Sequence, residues 1–364
     1  MRIKRLGFAI WASKNFGGME RRFARLAEFL FGESDAIEVV IFAQRRCAAQ
    51  ISMALSSSEN IKIIEFGSSD YRRGILQFLL ELVDLATMLR RYKCDHLHLS
   101  MNPGIFSCIF AAIAPLDARM SICFVDPSYD TSTTRVSRFF ANISLIRFHR
   151  IDCLSQQLFS EFKHFFWGLY RSRWQIAPCS FTDYSQCKIC VERDIDVVFM
   201  ARFDRDKGYD LLLGILKLLP ELKIHFCGFG VNAPTYHCSN NVKIYKAENA
   251  FEVLGRAKIF LSIQKRNNYP SQATLEAMSS GCAIIATDVG ETRKFLDESC
   301  ALMISYNADE LLMAIKTLII DSELRAKLGF NARNIAIEKH TVQRYGLYFL
   351  EKIVEVDSTH HNGP

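Results

Sequence analysis

Two cations and the start of one helix carry the chemistry that residue type and spacing suggest first. In Ala201-Arg-Phe-Asp-Arg-Asp-Lys-Gly208, Arg202 and Lys207 bracket a loop between the strand pattern Asp196–Ala201 and the helical pattern Tyr209–Leu219, so both can reach a shared point where a diphosphate could sit. Gly228-Phe-Gly230 follows one βα turn later. The second stretch is Asn268-Tyr-Pro-Ser-Gln-Ala-Thr-Leu-Glu-Ala-Met-Ser-Ser-Gly-Cys282. Ser271 can cap a helix with Pro270 just outside it, Leu275 and Met278 give it an inward face, and Gly281 is placed to end it. The free amides of Gln272, Ala273 and Thr274 and the positive end of the dipole suit a phosphate. Glu276, one turn on, offers a carboxylate to neighbouring sugar hydroxyls. A nucleoside diphosphate would satisfy both, although a capped helix between strands is also the ordinary grammar of an α/β domain.

Other candidates are less specific. Gly17-Gly18 lies between a strand pattern (Leu6–Ile10) and a helical one (Phe23, Leu26, Ala27, Leu30). Adjacent glycines there either let a phosphate approach the backbone or make a tight βα turn, because the G-x-G-x-x-G spacing is missing. Asp126 ends the strand pattern Ser121–Val125, where α/β sheets place ligands, and with His96 and His98 it is a candidate polar group facing a cleft or a satisfied structural residue. Asp194-Ile-Asp196 and Asp204-Arg-Asp206 match a metal-binding D-x-D, but one enters a strand and the other lies among basic residues, so no metal is expected. Cys187-Lys-Ile-Cys190 has ligand spacing with only His237-Cys238 as a conceivable second pair, which is too little for a zinc site.

These residues must be held by alternating strands and helices. Short apolar runs at 39–42, 61–65, 96–99, 121–125 and 152–154 alternate with helical stretches, and the alternation restarts at Asp196 with runs at 223–227, 242–245, 259–263, 283–287 and 301–304. That predicts two doubly wound parallel sheets. The boundary falls in the polar stretch Tyr184–Asp194, giving domains 1–185 and 186–340. A last helical pattern, Ile335–Val356, implies a helix at about 340–356 that packs back on the first domain, with 357–364 a disordered tail. Helix Ile75–Arg91 has an apolar face and Arg72, Arg73, Arg90 and Arg91 at its ends. It either packs on its sheet or lies at a membrane interface.

The chain of 364 residues is 49% hydrophobic and carries a net charge of +6, which excludes a disordered protein and allows two cores. Residues 1–183 hold 23 Lys and Arg against 17 Asp and Glu, whereas 184–364 hold 22 of each. The surplus is therefore local to the first half, which suits an anionic membrane surface or a phosphate-bearing substrate; no nucleic-acid partner is expected. The basic, then apolar N-terminus breaks at Ser13 and Lys14, short of a signal peptide. No apolar run spans a bilayer. Twelve scattered cysteines read as reduced, packed thiols, and the expected location is cytoplasmic, or peripheral on the inner membrane face.

In order and spacing, Ala201-Arg202 through Lys207-Gly208, Gly228-Phe-Gly230, Leu275-Glu-Ala-Met278 with Gly281, and Thr287-Asp-Val-Gly290 resemble the retaining glycosyltransferases of family 4, which have the GT-B fold of two Rossmann-like domains facing across a cleft. In the first half the resemblance rests on Gly17-Gly-Met-Glu20, and more weakly on Asp95-His-Leu-His98 and Cys153-Leu-Ser155. It implies a sugar-nucleotide donor on the second domain, with UDP-sugars favoured slightly over GDP-sugars, no further cofactor, and a saccharide or lipid-linked acceptor on the first, in cell-surface polysaccharide or glycolipid assembly. By position, Arg202 and Lys207 would hold the diphosphate, Glu276 the ribose, the amides from Ser271 to Thr274 the distal phosphate, and Gly17-Gly18 would cover it. Two departures stand out. The family's first glutamate, which contacts the donor sugar, is Asn268 here, and Asp126 stands near where many members place a histidine. Asn268 leaves open a catalytically silent nucleotide-sugar-binding protein, and an epimerase shares the architecture.

Overall fold

The computed structural model describes residues 5–11, 18–33, 37–55, 61–69, 74–101, 104–124, 135–162 and 171–355, apart from 183, 185, 186, 188, 189, 191, 229, 231, 232, 234–240, 248, 268 and 270. The chain divides into two compact units, Met1–Ser180 with Val342–Pro364 and Phe181–Thr341. In the first, β1 (Arg5–Ile10), α1 (Gly18–Glu33), β2 (Glu38–Gln44), α2 (Arg45–Ala54), β3 (Lys62–Phe66), α3 (Ile75–Tyr92), β4 (His96–Ser100), α4 (Ile105–Ile113), β5 (Arg119–Phe124), α5 (Arg135–Leu145), β6 (Arg150–Cys153), α6 (Gln156–Phe162) and β7 (Trp174–Ile176) follow in order. The strands form one sheet ordered β3-β2-β1-β4-β5-β6-β7, parallel at each described pairing.

The second unit runs β8 (Ile195–Met200), α7 (Tyr209–Ile215), β9 (Ile224–Cys227), β10 (Val242–Tyr245), α8 (Ala250–Arg256), β11 (Ala257–Ser262), α9 (Gln272–Ser279), β12 (Ala283–Thr287), β13 (Ala301–Ile304), α10 (Ala308–Ile320) and α11 (Ser322–Lys339). Its sheet, also parallel, is ordered β10-β9-β8-β11-β12-β13. Both sheets are doubly wound and reverse their strand order once, at β1/β4 and at β8/β11, where the loops after the two strands diverge and leave room for a ligand.

Burial explains why continuous apolar runs became these strands. In β8, Val197 and Phe199 enter one core and Val198 the other; in β11, Ile259 and Leu261 oppose Phe260 in the same way. Period-two side chains on a sheet covered on both faces give an unbroken hydrophobic run rather than an alternating one.

One sequence expectation needs correcting. The Ile335–Val356 pattern is not one helix: α11 stops at Lys339, and the chain returns to the first unit as α12 (Val342–Tyr348) and a π-helical turn, Phe349–Val354. The Tyr184 hydroxyl lies within hydrogen-bonding reach of the Ala336 and His340 carbonyls; Ala336 already accepts from the His340 amide at 2.9 Å, so the His340 carbonyl is the one that a further helical turn would otherwise have satisfied. Strand β7, only three residues long, gave no periodic signal. No described helix is long and apolar enough to cross a membrane.

Candidate functional site

The second unit brings most of its predicted site residues to the sheet's switch point. Lys207 closes a 3-10 turn (Arg205–Lys207) after β8, and its Nζ donates to Gln264 Oε1 at 3.4 Å. On the same strand end, Thr274 Oγ1 donates to Ser262 Oγ at 3.0 Å. Lys207 and the first turn of α9 thus converge on Ser262–Gln264, the last residues of β11 and those following it. Gly208 makes this approach possible. It has φ +77°, and a Cβ there would lie 1.7 Å from the Ile263 carbonyl oxygen. The Gly228 backbone is equally close to the β8 loop, since its Cβ would fall 2.1 Å from the Ala201 carbonyl; Gly230 lies against Phe203.

Arg202 is exposed and sits 3.6 Å from Asp204, an exposed pair that holds it only weakly. Its guanidinium stays available to an anion beside Lys207. In α9 the Leu275 amide bonds the Ser271 carbonyl at 3.1 Å, which leaves the amides of Gln272, Ala273 and Thr274 without intrahelical acceptors. Ser271 occupies the capping position, but its side chain makes no cap hydrogen bond, contrary to the sequence expectation. Its hydroxyl therefore does not compete for those amides. Gln272 Oε1 is enclosed and has no hydrogen-bond partner among the described residues, a cost of about 1–3 kcal/mol unless something donates to it. Glu276 is buried, 3% exposed, rather than an open carboxylate. Asn268 lies outside the described residues, as do Gly17 and Asp126; Gly18 opens α1.

Asn267 and Gln264, at this rim, escaped the sequence reading, which took Thr287 only as part of its motif. Thr287 Oγ1 donates to the Gln264 carbonyl at 2.7 Å, tying the ends of β11 and β12 together. Asn267 Oδ1 accepts from the Tyr269 amide at 3.2 Å and the Glu291 amide at 3.3 Å. The only sequence signal for Gln264 was a polar residue directly after an apolar run. The D-x-D pairs are engaged by cations. Asp194 holds Arg256 and Asp196 holds Lys258 at 2.7 Å; Asp206 lies 3.9 Å from Arg266. Cys187 donates to the Ser279 carbonyl at 3.0 Å, and His237-Cys238 falls outside the described residues.

In the first unit, His96 and His98 do not face open space. Both are buried in the sheet, sharing Ser121 Oγ at 2.8 Å each. On the same sheet, Asp152 accepts from Tyr345 at 2.5 Å and Tyr348 at 2.8 Å, so two residues of α12 are anchored on one buried carboxylate. His98, Cys123 and Asp152 are the group, among the described residues, whose potential ligand atoms lie within 4.8 Å of one another. Asp152 already has its tyrosine partners, and the positive charge of the buried Arg22 acts on it and on Cys123, so the cluster is explained as a hydrogen-bonded network.

Burial sets the titration of this network. It lowers the His98 imidazole to about 3 and the His96 imidazole well below its usual value. A histidine held neutral when folded contributes stability above its unfolded pKa, near 6.5. That stability is lost as pH falls from there toward about 3. At about pH 5 the loss from His98 alone is on the order of 2 kcal/mol. Asp152, raised by burial, opposes it: its contribution is present at low pH and is lost as pH rises through its folded pKa. Urea unfolding near neutrality and near pH 5 should show the wild type losing stability on acidification and His98→Asn losing less. A larger loss in the variant would contradict the assignment.

Residues 186–335 match the family described as Glycosyl transferases group 1. Sequence comparison with curated proteins gives no match. Among solved structures, sucrose-phosphate synthase from Thermosynechococcus elongatus is similar at 14% identity and TM-score 0.76, over 95% of this chain and 97% of that one. Anabaena Alr3699/HepE in complex with UDP and glucose is similar at 16% identity and TM-score 0.76, over 97% and 100%. WaaG, a glycosyltransferase involved in lipopolysaccharide biosynthesis, is similar at 14% identity and TM-score 0.69, over 96% and 100%. At such identities the likeness shows the fold, which is GT-B.

Proposed function

Residues 186–335 belong to the glycosyl transferases group 1, and from that premise we propose that the protein transfers a sugar, with retention, from a nucleoside diphosphate sugar to a saccharide or lipid-linked acceptor in the cytoplasm. The observation that carries the reading is the convergence of Lys207 and the α9 N-terminus on the residues ending β11, with Arg202 on the same loop as Lys207. Two cations and three amides without intrahelical acceptors at a switch point suit a diphosphate. The UDP and glucose held by the HepE structure favour a UDP-hexose donor, and the lipopolysaccharide role named for WaaG favours a surface glycan as product.

In the proposed reaction the acceptor hydroxyl attacks the anomeric carbon from the side the diphosphate leaves. The sugar–phosphate bond breaks, the new glycosidic bond forms, and a departing phosphate oxygen takes the hydroxyl proton. Arg202, Lys207 and the amides of Gln272 to Thr274 stabilise the charge that grows on the diphosphate. No protein nucleophile and no metal are needed for this route. The protein should form an α-linked product from an α-linked donor when offered UDP- and GDP-hexoses with saccharide acceptors, and EDTA should leave the rate unchanged. A β-linked product would refute retention. Asn268, where the family has glutamate, supports a second reading, a catalytically silent nucleotide-sugar binder, which predicts donor binding without transfer or donor hydrolysis. Donor conversion with no acceptor present would indicate an epimerase.

A further inference from the structure

Most of the large apolar side chains left exposed among the described residues fall between Ile75 and Ile146. Apart from Leu116 and Ile146, which lie just beyond α4 and α5, they belong to three neighbouring helices, since α4 packs against both α3 and α5. Helix α3 buries Leu82, Leu85, Ala86 and Leu89 against the sheet and turns Leu76 (71% exposed), Leu80 and Val83 outward. Phe106 of α4 meets Phe78 of α3 with ring centroids 4.0 Å apart and is still partly exposed; Phe139 of α5 (60%) and Ile146 just after it continue the surface. A contiguous apolar face on three helices is larger than the scattered exposure of an ordinary surface and marks an interaction site.

Basic residues gather at one end of these helices, in the last turn of α3 and just beyond α5. Arg90 of α3 reaches the Ile113 carbonyl at 2.5 Å and Arg147, two residues past α5, reaches the Pro115 carbonyl at 2.6 Å, so both approach the end of α4. Arg91 and Lys93 are exposed there as well, outnumbering the exposed Asp117. The stretch Arg135–Ile151 holds four arginines and no carboxylate. A second copy docked through this face would bring the same patch to itself and set mainly like charges against one another, with Asp117 too few to offset them. Anionic phosphate headgroups around inserted aliphatic and aromatic side chains complement it.

We propose that the outer face of α3, α4 and α5 docks on an anionic lipid surface, with Leu76, Leu80, Phe139 and Ile146 entering the acyl boundary and Arg90, Arg91, Lys93 and Arg147 meeting headgroup phosphates. The face does not depend on the transfer reaction, so it is tested on the full-length protein without any donor. The wild type should float with phosphatidylcholine vesicles containing phosphatidylglycerol, bind pure phosphatidylcholine far less, and lose most of the anionic binding at high salt. Leu76→Glu with Leu80→Glu should cut the partition at least roughly tenfold, since two buried apolar side chains are replaced by charges that the headgroups repel. Arg91→Gln and Lys93→Gln should each cut it roughly fivefold on anionic vesicles only. These side chains are exposed, so circular dichroism should show unchanged folding. Wild-type protein that stays off anionic vesicles, variants that bind as the wild type does, or a wild-type dimer that the two glutamates dissociate would each overturn the proposal. Nucleotide binding, measured separately, fails or holds on its own.

Discussion

Gly208→Ala is expected to destabilise the second unit by about 3–5 kcal/mol, a large share of the stability of an ordinary domain. The cause is double. The residue holds φ +77°, a conformation that costs a non-glycine residue energy, and its new Cβ would stand 1.7 Å from the Ile263 carbonyl oxygen. Neither group can yield cheaply, because Ile263 continues β11 and Lys207, one residue before the glycine, is fixed through Gln264. Gly214, in α7, makes the control: a Cβ there meets nothing within 4 Å. Gly214→Ala should be neutral or stabilise by about 0.5–1 kcal/mol, since it removes backbone freedom from the unfolded chain. Urea unfolding of the two variants separates the explanations. Equal effects would mean that the close contact at Gly208 is not what the sequence requires.

Lys207→Ala and Arg202→Ala are expected to cost activity without stability. Both cations are at least partly exposed, and the Arg202–Asp204 pair at 3.6 Å is solvent-screened, so unfolding should move by less than about 0.5 kcal/mol. Each charge aimed at a leaving diphosphate is worth roughly 100-fold to 1000-fold in rate. The loss should appear in kcat/KM for the donor, with nucleotide affinity falling alongside. Lys207→Arg should restore part of it. Wild-type turnover in both alanine variants would remove the diphosphate from this loop.

Much of this site could be read from the chain because its parts are local. The strands ending at Met200 and Ser262 are apolar runs, and Arg202 and Lys207 follow the first of them within a single loop. Their meeting with α9 was not legible. It depends on Gln264 and Ser262 accepting from Lys207 and Thr274, contacts that span 57 and 12 residues and leave no periodic trace. Glu276 was expected to offer its carboxylate to sugar hydroxyls, and its burial was not legible: α9 buries both its faces, against β11 and β12 and under α11, and a helix of eight residues gives too few turns to distinguish two buried faces from one. The break between α11 and α12 was hidden for a similar reason. Apolar residues continue at helical spacing across His340, while the residues that separate the helices, Tyr184 and Asp152, lie far away in sequence.

The most direct test of the central claim is a thermal-shift screen of wild-type, Lys207→Ala and Arg202→Ala protein against UDP, GDP, ADP and dTDP and their hexose esters, with and without EDTA. A ligand that binds only the folded chain raises its apparent stability. One base should give a shift, unaffected by EDTA and greatly reduced in both variants. No shift with any nucleotide, or one that both variants retain in full, would contradict that claim.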